Sequence, residues 1–295
     1  MNIAIIGNSH FGSILAMQLN SFDKTNNYKF YNTNEKKIDK LKFILNILNI
    51  DIVYSVSASV SGGGALNFAL KFNKKIVQHF IGSDVLSAID DYKNNNLNKK
   101  LINHSTFLCE VDWIQNELKE INLRAKVTPI MVYENFIEPK EFSKFRVLTY
   151  MSKGKEKFYG IDDFVKLAQD FPQVSFAIAG IDNYPNLPKN IDTLGWIDMN
   201  TELQKSTIFI RNAKHDGLGF SVIEALALGR KVLYNYRFPY CNYFDDYYKM
   251  RNIIYNYYDK YENNQLSISK DAIEFVKTHF NKETVLKKLT KEILE

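Results

Sequence analysis

The chain is 295 residues long, with 45% hydrophobic and 24% charged residues, a balance that suits about two folded domains and excludes an intrinsically disordered or fibrous polypeptide. Lys and Arg outnumber Asp and Glu by 38 to 33, a formal charge of +5, and this mild excess favours anionic ligands while the dispersed lysines argue against nucleic acid. Only two cysteines, Cys109 and Cys241, are present, and residues 1–7 carry no basic run before an apolar one, so the expectation is a cytoplasmic protein without a disulfide framework or secretory leader. No apolar run reaches the roughly 18 residues needed to span a bilayer.

Short apolar runs rich in β-formers alternate with amphipathic stretches, which predicts an α/β fold of parallel strands joined by helices. The first series of strands falls at 2–7, 28–32, 51–56, 75–80, 105–111 and 125–130, with an Asn-rich polar loop at 93–99. A second series follows at 145–151, 174–180, 191–197, 207–213 and 231–236. Between them, 131–144 contains Pro139 and scattered charges without sustained periodicity, so the domain boundary is placed near residue 140, giving two doubly wound domains over 1–140 and 141–295. Beyond residue 265, Ile273, Phe275, Val276 and Phe280, then Val285, Leu286, Leu289 and Ile293, recur at helical spacing. The chain is therefore expected to close on helices belonging to the second domain.

Gly7-Asn8-Ser9-His10-Phe11-Gly12 stands at a strand-to-helix turn, where free amides and the helix dipole suit an anion. It half matches a dinucleotide fingerprint: the middle Gly is Ser9, and the second strand ends in Tyr31-Asn32 instead of an acid, so NAD fits poorly. An ordinary tight turn and a role facing a ligand phosphate both explain Gly12. Ser61-Gly62-Gly63-Gly64 reads as a structural turn. His79 lies near the carboxyl end of strand 75–80, where open α/β sheets bind ligands, with Asp84 as the cap of the next helix; a histidine satisfied by a neighbouring loop is the plain alternative. His104, His215 and His279 lack metal-ligand spacing with one another or with the cysteines, and no metal site is expected.

The most informative stretch runs from His215-Asp216-Gly217-Leu218-Gly219-Phe220-Ser221 through Glu224 to Gly229. Gly217 and Gly219 allow close backbone approach, and amides at the start of the following helix suit a diphosphate. Glu224, one to two turns further, would repel a phosphate and suits the hydroxyls of a ribose. A capped amphipathic helix explains Asp216, Gly229 and the apolar face without explaining both loop glycines.

With its acid-Gly-any-Gly motif and a second acid eight residues after the first, followed by Ala225 and Gly229, this stretch resembles the retaining nucleotide-sugar glycosyltransferases of the GT-B fold, in their family 4-like group. Gly160-Ile161-Asp162-Asp163-Phe164, Phe176 to Gly180, Leu194-Gly195-Trp196-Ile197 and Glu202-Leu203 follow the family's order, so the resemblance covers about residues 145–236. It implies two Rossmann-like domains facing a cleft, with the first on the acceptor side and the second binding a nucleotide-sugar donor. It also implies that Glu224 binds ribose, that Gly219, Phe220 and Ser221 meet the diphosphate, and that Asp216 faces the transferred sugar. His79 resembles the family's first-domain histidine beside the sugar, and Gly12 its glycine turn near the diphosphate. Two departures stand out: Asp216 replaces the usual Glu, and Tyr159 occupies the place of a lysine before Gly160. Lys153, Lys155 and Lys157 lie in the same loop and are the candidates for supplying the missing charge.

The implied reaction is metal-independent, cofactor-free transfer to a hydroxyl of a glycan or lipid-linked acceptor, with retention of configuration and the departing diphosphate held by a helix terminus and a cation. The principal rival is a catalytically silent GT-B subunit that binds a glycan or partner protein; a Rossmann-type oxidoreductase is disfavoured by the incomplete fingerprint. In the first domain, residues 34–49 combine Lys36, Lys37, Lys40 and Lys42 with Ile38, Leu41, Phe43, Ile44 and Leu48. This pattern describes either a solvated helix face or a peripheral contact with an anionic membrane. The Tyr-rich run at 234–261 suits either a platform for sugar rings or ordinary packing.

Overall fold

The computed structural model describes residues 1–134 and 136–295. The chain forms two compact units, one comprising Met1–Val132 with Lys282–Glu295, the other Tyr133–Asn281.

The first unit contains β1 (Asn2–Gly7), α1 (Ser9–Phe22), β2 (Asn27–Phe30), α2 (Lys37–Asn46), β3 (Ile52–Val56), α3 (Gly64–Lys71), β4 (Lys75–Phe80), α4 (Asp84–Lys93), α5 (Lys99–His104), β5 (Ser105–Cys109), α6 (Asp112–Glu120) and β6 (Ala125–Val127). Its strands form one parallel sheet in the order β2-β1-β3-β4-β5-β6. Alternation along β1 explains the layering: Ile3 and Ile5 pack with α1 on one face, while Ala4 and Ile6 meet Phe43 and Ile47 on the other. At the end of β1, Gly7 adopts φ +99°, and a Cβ there would stand 2.0 Å from the Val56 carbonyl oxygen. The strand thus turns within one residue into α1, whose cap is Asn8 Oδ1 accepting from the Phe11 N–H at 3.0 Å.

The second unit contains β7 (Arg146–Tyr150), α7 (Ile161–Asp170), β8 (Ser175–Ala179), β9 (Ile191–Thr193), α8 (Met199–Gln204), β10 (Ile208–Arg211), α9 (Phe220–Ala227), β11 (Lys231–Tyr234), β12 (Cys241–Tyr243), α10 (Tyr247–Glu262) and α11 (Lys270–His279). Its sheet is also six-stranded and parallel, ordered β12-β11-β10-β7-β8-β9.

Several expectations are corrected. The break lies at 132/133, not near residue 140, and the last helix, α12 (Lys282–Leu294), belongs to the first unit. Helical spacing reveals an apolar stripe without revealing its partner; here Val285, Leu286, Leu289 and Ile293 cover the same sheet face as α1, against Ile3, Ile5 and Tyr54. The strand expected to reach residue 130 ends at Val127, since Pro129 has no N–H to continue the ladder. The strand expected at 191–197 stops at Thr193, where Gly195 at φ +66° turns the chain away. Most of the Tyr-rich run is α10, whose Tyr257, Tyr258 and Tyr261 pack against the unit's core, so packing accounts for them. The short β12 has no signal in the periodicity.

Leu289 is wholly buried in the first unit, so Leu289→Ala should destabilise that unit by about 2–5 kcal/mol. Hydrogen exchange should show protection lost in β1 and β3 and kept in β7 and β10; loss confined to the second unit would refute the assignment of α12.

Candidate functional site

In the second sheet the strand order reverses beside β7, with β8 on one side and β10 on the other. Ligands of open α/β sheets bind outside the carboxyl ends at such a point. Arg211 is the last residue of β10, and the loop after β7 carries Tyr159 and Gly160 to meet it. Gly160 caps α7 at φ +70°, and a Cβ there would stand 2.4 Å from Asn212 Nδ2, so the loop and the end of β10 lie in direct contact.

Arg211 is buried, and its Nε and Nη2 donate to Asp216 Oδ2 and Oδ1 at 2.6 and 2.9 Å. Its guanidinium carbon sits 4.7 Å from the Tyr159 ring centre. The Tyr234 hydroxyl donates to Asp216 Oδ2 at 3.2 Å and to the Gly217 carbonyl at 2.9 Å, and Tyr236 Oη accepts from the Asp216 N–H at 3.3 Å. Burial alone would lower the Arg211 pKa; the hydrogen bonds and charge of Asp216, with the phenols of Tyr159 and Tyr234 adding, hold it above its ordinary value. The guanidinium is a permanent cation whose Nη1 makes no hydrogen bond among the described residues. Asp216, expected to face a sugar, instead spends both carboxylate oxygens on Arg211 and Tyr234.

Arg211 also borders α9. A Cβ on Gly219, the cap residue of α9, would lie 3.3 Å from Arg211 Nε and 3.4 Å from Asp216 Oδ2. Gly219 has no side chain to cap the helix; the Val222 N–H donates to the Gly219 carbonyl at 2.9 Å, which leaves the Phe220 and Ser221 amides of the first turn available beside the guanidinium. Every other residue of α9 is buried except Phe220 and Glu224, one turn apart on a single face. The Glu224 carboxyl is half-buried and forms no hydrogen bond among the described residues; burial, then the negative charge of Asp198, pushes its pKa up to about 7. The Tyr133 phenol is pushed up to about 12 by burial and by the charges of Glu224 and Asp198, so the three groups share one neighbourhood.

The remaining expected residues are placed differently. Lys153, Lys155 and Lys157 are exposed, with Lys153 Nζ 3.8 Å from Asp182 Oδ2. Arg211, not a lysine, is the cation against Tyr159. It had a sequence signal, a charged residue closing the apolar run 208–210, but its pairing depends on a loop that no periodicity describes. In the first unit, His79 is near the end of β4 as expected, yet it is wholly buried, with Nδ1 2.8 Å from Tyr54 Oη. Burial, only partly opposed by the backbone oxygens of Thr128 and Cys109, pushes its pKa down to about 3. Its Nε2 is buried without a hydrogen-bond partner among the described residues, so the site holds a neutral core histidine, and no sugar contact is built on it. Gly12 is buried inside α1, where a Cβ would meet the Phe30 ring at 2.5 Å, so helix–strand packing explains it instead of a ligand. Asp84 Oδ1 and Oδ2 accept from the backbone N–H groups of Gly82, Ile81 and Ala58, tying the loops after β3 and β4 together. Among the described residues no group of three His, Cys, Asp or Glu side chains is arranged to hold a metal ion, and no helix is long and apolar enough to cross a membrane.

No protein-family model matches the chain, and no curated protein matches it in sequence. Its structure is similar to sucrose-phosphate synthase from Thermosynechococcus elongatus, with TM-score 0.72 and 12% identity over 99% of this chain and 98% of that one. It is also similar to the apo form of the lipopolysaccharide outer core galactosyltransferase WaaB, with TM-score 0.65 and 13% identity over 100% and 99%. For S. aureus TarM in complex with fondaparinux, alpha-GlcNAc-glycerol and UDP, the TM-score is 0.61 at 14% identity over 83% of this chain, which spans 55% of the length of TarM. UDP-GlcNAc 2-epimerase from Neisseria meningitidis bound to UDP-GlcNAc has TM-score 0.55 at 11% identity over 100% of both chains. These likenesses establish the fold, two Rossmann-like α/β domains of the GT-B type.

The raised Glu224 pKa carries a sign. The folded state holds this proton more tightly than the unfolded chain, so stability is greatest below the ordinary value of 4.5 and falls as pH rises toward about 7. Glu224→Gln should therefore gain up to about 3 kcal/mol over the wild type at pH 8 and nothing at pH 4. Urea denaturation at the two pH values measures the difference, and equal gains at both would show that Glu224 is not perturbed.

Proposed function

We propose that the protein is a glycosyltransferase that moves a sugar from a nucleoside-diphosphate donor to a hydroxyl of a glycan or lipid-linked acceptor, with retention and without a metal. The observation that carries this reading is the alignment on α9: an uncapped helix start beside the buried Arg211 cation, and Glu224 on the helix's one face that is not buried. In this reading the amides at the start of α9 and the free Nη1 edge of Arg211 hold the diphosphate as negative charge builds on it. Glu224 accepts hydrogen bonds from the ribose hydroxyls, and the Phe220 ring lies beside it. Asp216, Tyr159 and Tyr234 act as positioning residues that fix the guanidinium. Gly217 and Gly219 keep the loop close to the ligand, and Lys153, Lys155 and Lys157 add attraction at longer range. Retention rests on the resemblance of residues 145–236, and the GT-B fold supports the donor class.

One observation favours a second reading. With both oxygens of Asp216 engaged by Arg211 and Tyr234, a catalytically silent subunit that binds a glycan or partner protein would present the same site.

Thermal-shift titration against UDP, GDP and ADP tests the proposal. One nucleotide should stabilise the wild type, by about 2.7 kcal/mol at 100 times its Kd, and Glu224→Ala should weaken that binding about tenfold or more. Arg211→Lys, which keeps the charge and loses the fork, should lower donor turnover by about 10²-fold. Product analysis by mass spectrometry separates transfer from the epimerisation that the same fold supports elsewhere. Nucleotide binding without turnover or donor hydrolysis would establish the silent subunit, and indifference of Glu224→Ala to every nucleotide would overturn the donor site.

A further inference from the structure

Helix α2 and the 3-10 turn that continues it, Ile47–Asn49, present two apolar faces where a surface helix ordinarily has one. Phe43 and Ile47 point into the first unit, against Ala4, Ile6, Val53 and Leu66. On the other side, Ile38, Leu41, Leu45 and Leu48 are 62, 54, 71 and 75% exposed. Their spacing of three, four and three residues sets them in one stripe along the helix. Scattered exposed leucines need no explanation, but four large aliphatic side chains aligned on one helix do.

The edges of the stripe are cationic. Lys37 and Lys42 are exposed on α2 and Lys36 at its cap, Lys40 Nζ lies 3.4 Å from where a Cβ on Gly64 would stand, and Lys74 Nζ donates to the Leu48 carbonyl at 3.2 Å. Two acids flank the start of the helix: Glu35, which accepts from Asn32 Nδ2 and Ser9 Oγ, and Asp39 in the first turn. Phe72, 37% exposed, stands two residues before Lys74 in the turn after α3. The apolar side chains thus project outward between ammonium groups.

We propose that this face of α2 docks on an anionic phospholipid bilayer. Charge complementarity selects the occupant: a stripe one helix wide with lysines on its borders matches a membrane interface, where aliphatic side chains enter below the headgroups and flexible lysine stems lift their charges to the phosphates. The surface lies wholly within the first unit and is independent of the reading of the second.

Sedimentation of the full chain with vesicles tests it. The wild type should bind phosphatidylglycerol-containing vesicles about tenfold or more tightly than pure phosphatidylcholine, and added salt should weaken the binding. Leu41→Ser with Leu45→Ser should lose about tenfold in binding while circular dichroism and nucleotide-induced thermal shift stay unchanged, because neither side chain is buried. Lys37→Gln with Lys42→Gln should erase most of the preference for anionic lipid. The proposal is overturned if the wild type ignores anionic vesicles or if the serine variant binds as well as the wild type. It is overturned equally if sizing shows a dimer that Leu45→Glu dissolves, since the stripe would then be covered by a second copy of the chain.

Discussion

The ion pair between Arg211 and Asp216 is the constraint around which the second unit's site is arranged. A guanidinium at the end of a buried strand loses most of its hydration, a penalty of several kcal/mol unless a matched acceptor replaces the water. Asp216 supplies both oxygens to the planar fork, and Tyr159 covers a face of the same group. To bring an acid five residues downstream back onto the strand end, the chain must fold over itself between Asn212 and Gly219. The crowding this creates is visible at Gly219, where a side chain would press on both partners. The helix that begins there starts beside a fixed positive charge because of that fold.

The two units use the same strand-turn-helix device with different results. In the first, Gly7 packs against the Val56 carbonyl and Asn8 caps α1 through its own side chain, so the turn is largely satisfied from within. In the second, the capping residue is a glycine without a side chain; its carbonyl accepts from the Val222 N–H at 2.9 Å, while the Phe220 and Ser221 amides keep their capacity for an external acceptor. The histidine that sequence position brings to attention, His79, is buried in the core, with Nδ1 on the Tyr54 hydroxyl and Nε2 without a hydrogen-bond partner among the described residues.

How much of this was legible follows from which forces are local. Buried parallel strands are continuous apolar runs, so ten of the twelve strands were readable to within three residues at either end, β9 running four residues short and the three-residue β12 leaving no trace. Glu224 and the loop glycines stand out in the sequence through the acid-Gly-any-Gly spacing, and the structure sets Gly219 at the start of α9 and Glu224 on its open face. The role of Tyr159 was not, since an aromatic in a lysine's place is uninformative until Arg211 is seen beneath it. The assignment of α12 failed for a related reason: periodicity reports that a stripe exists, and only the assembled sheet shows which face was left uncovered.

Two helices carry features that folding alone disfavours. On α9, a half-buried carboxyl raised to about pH 7 makes the folded state less stable at neutral pH than an amide of the same shape would. On α2, aliphatic side chains stand in water opposite a face that already satisfies the core. Neither arrangement lowers the free energy of the isolated chain, and a neutral substitution would relieve each one. A hydroxyl pair donating to Glu224 and an apolar phase receiving Leu41 and Leu45 are the kinds of external partner that would reverse the sign of those costs, which is why the two proposals rest on these groups and not on the well-satisfied ones around them.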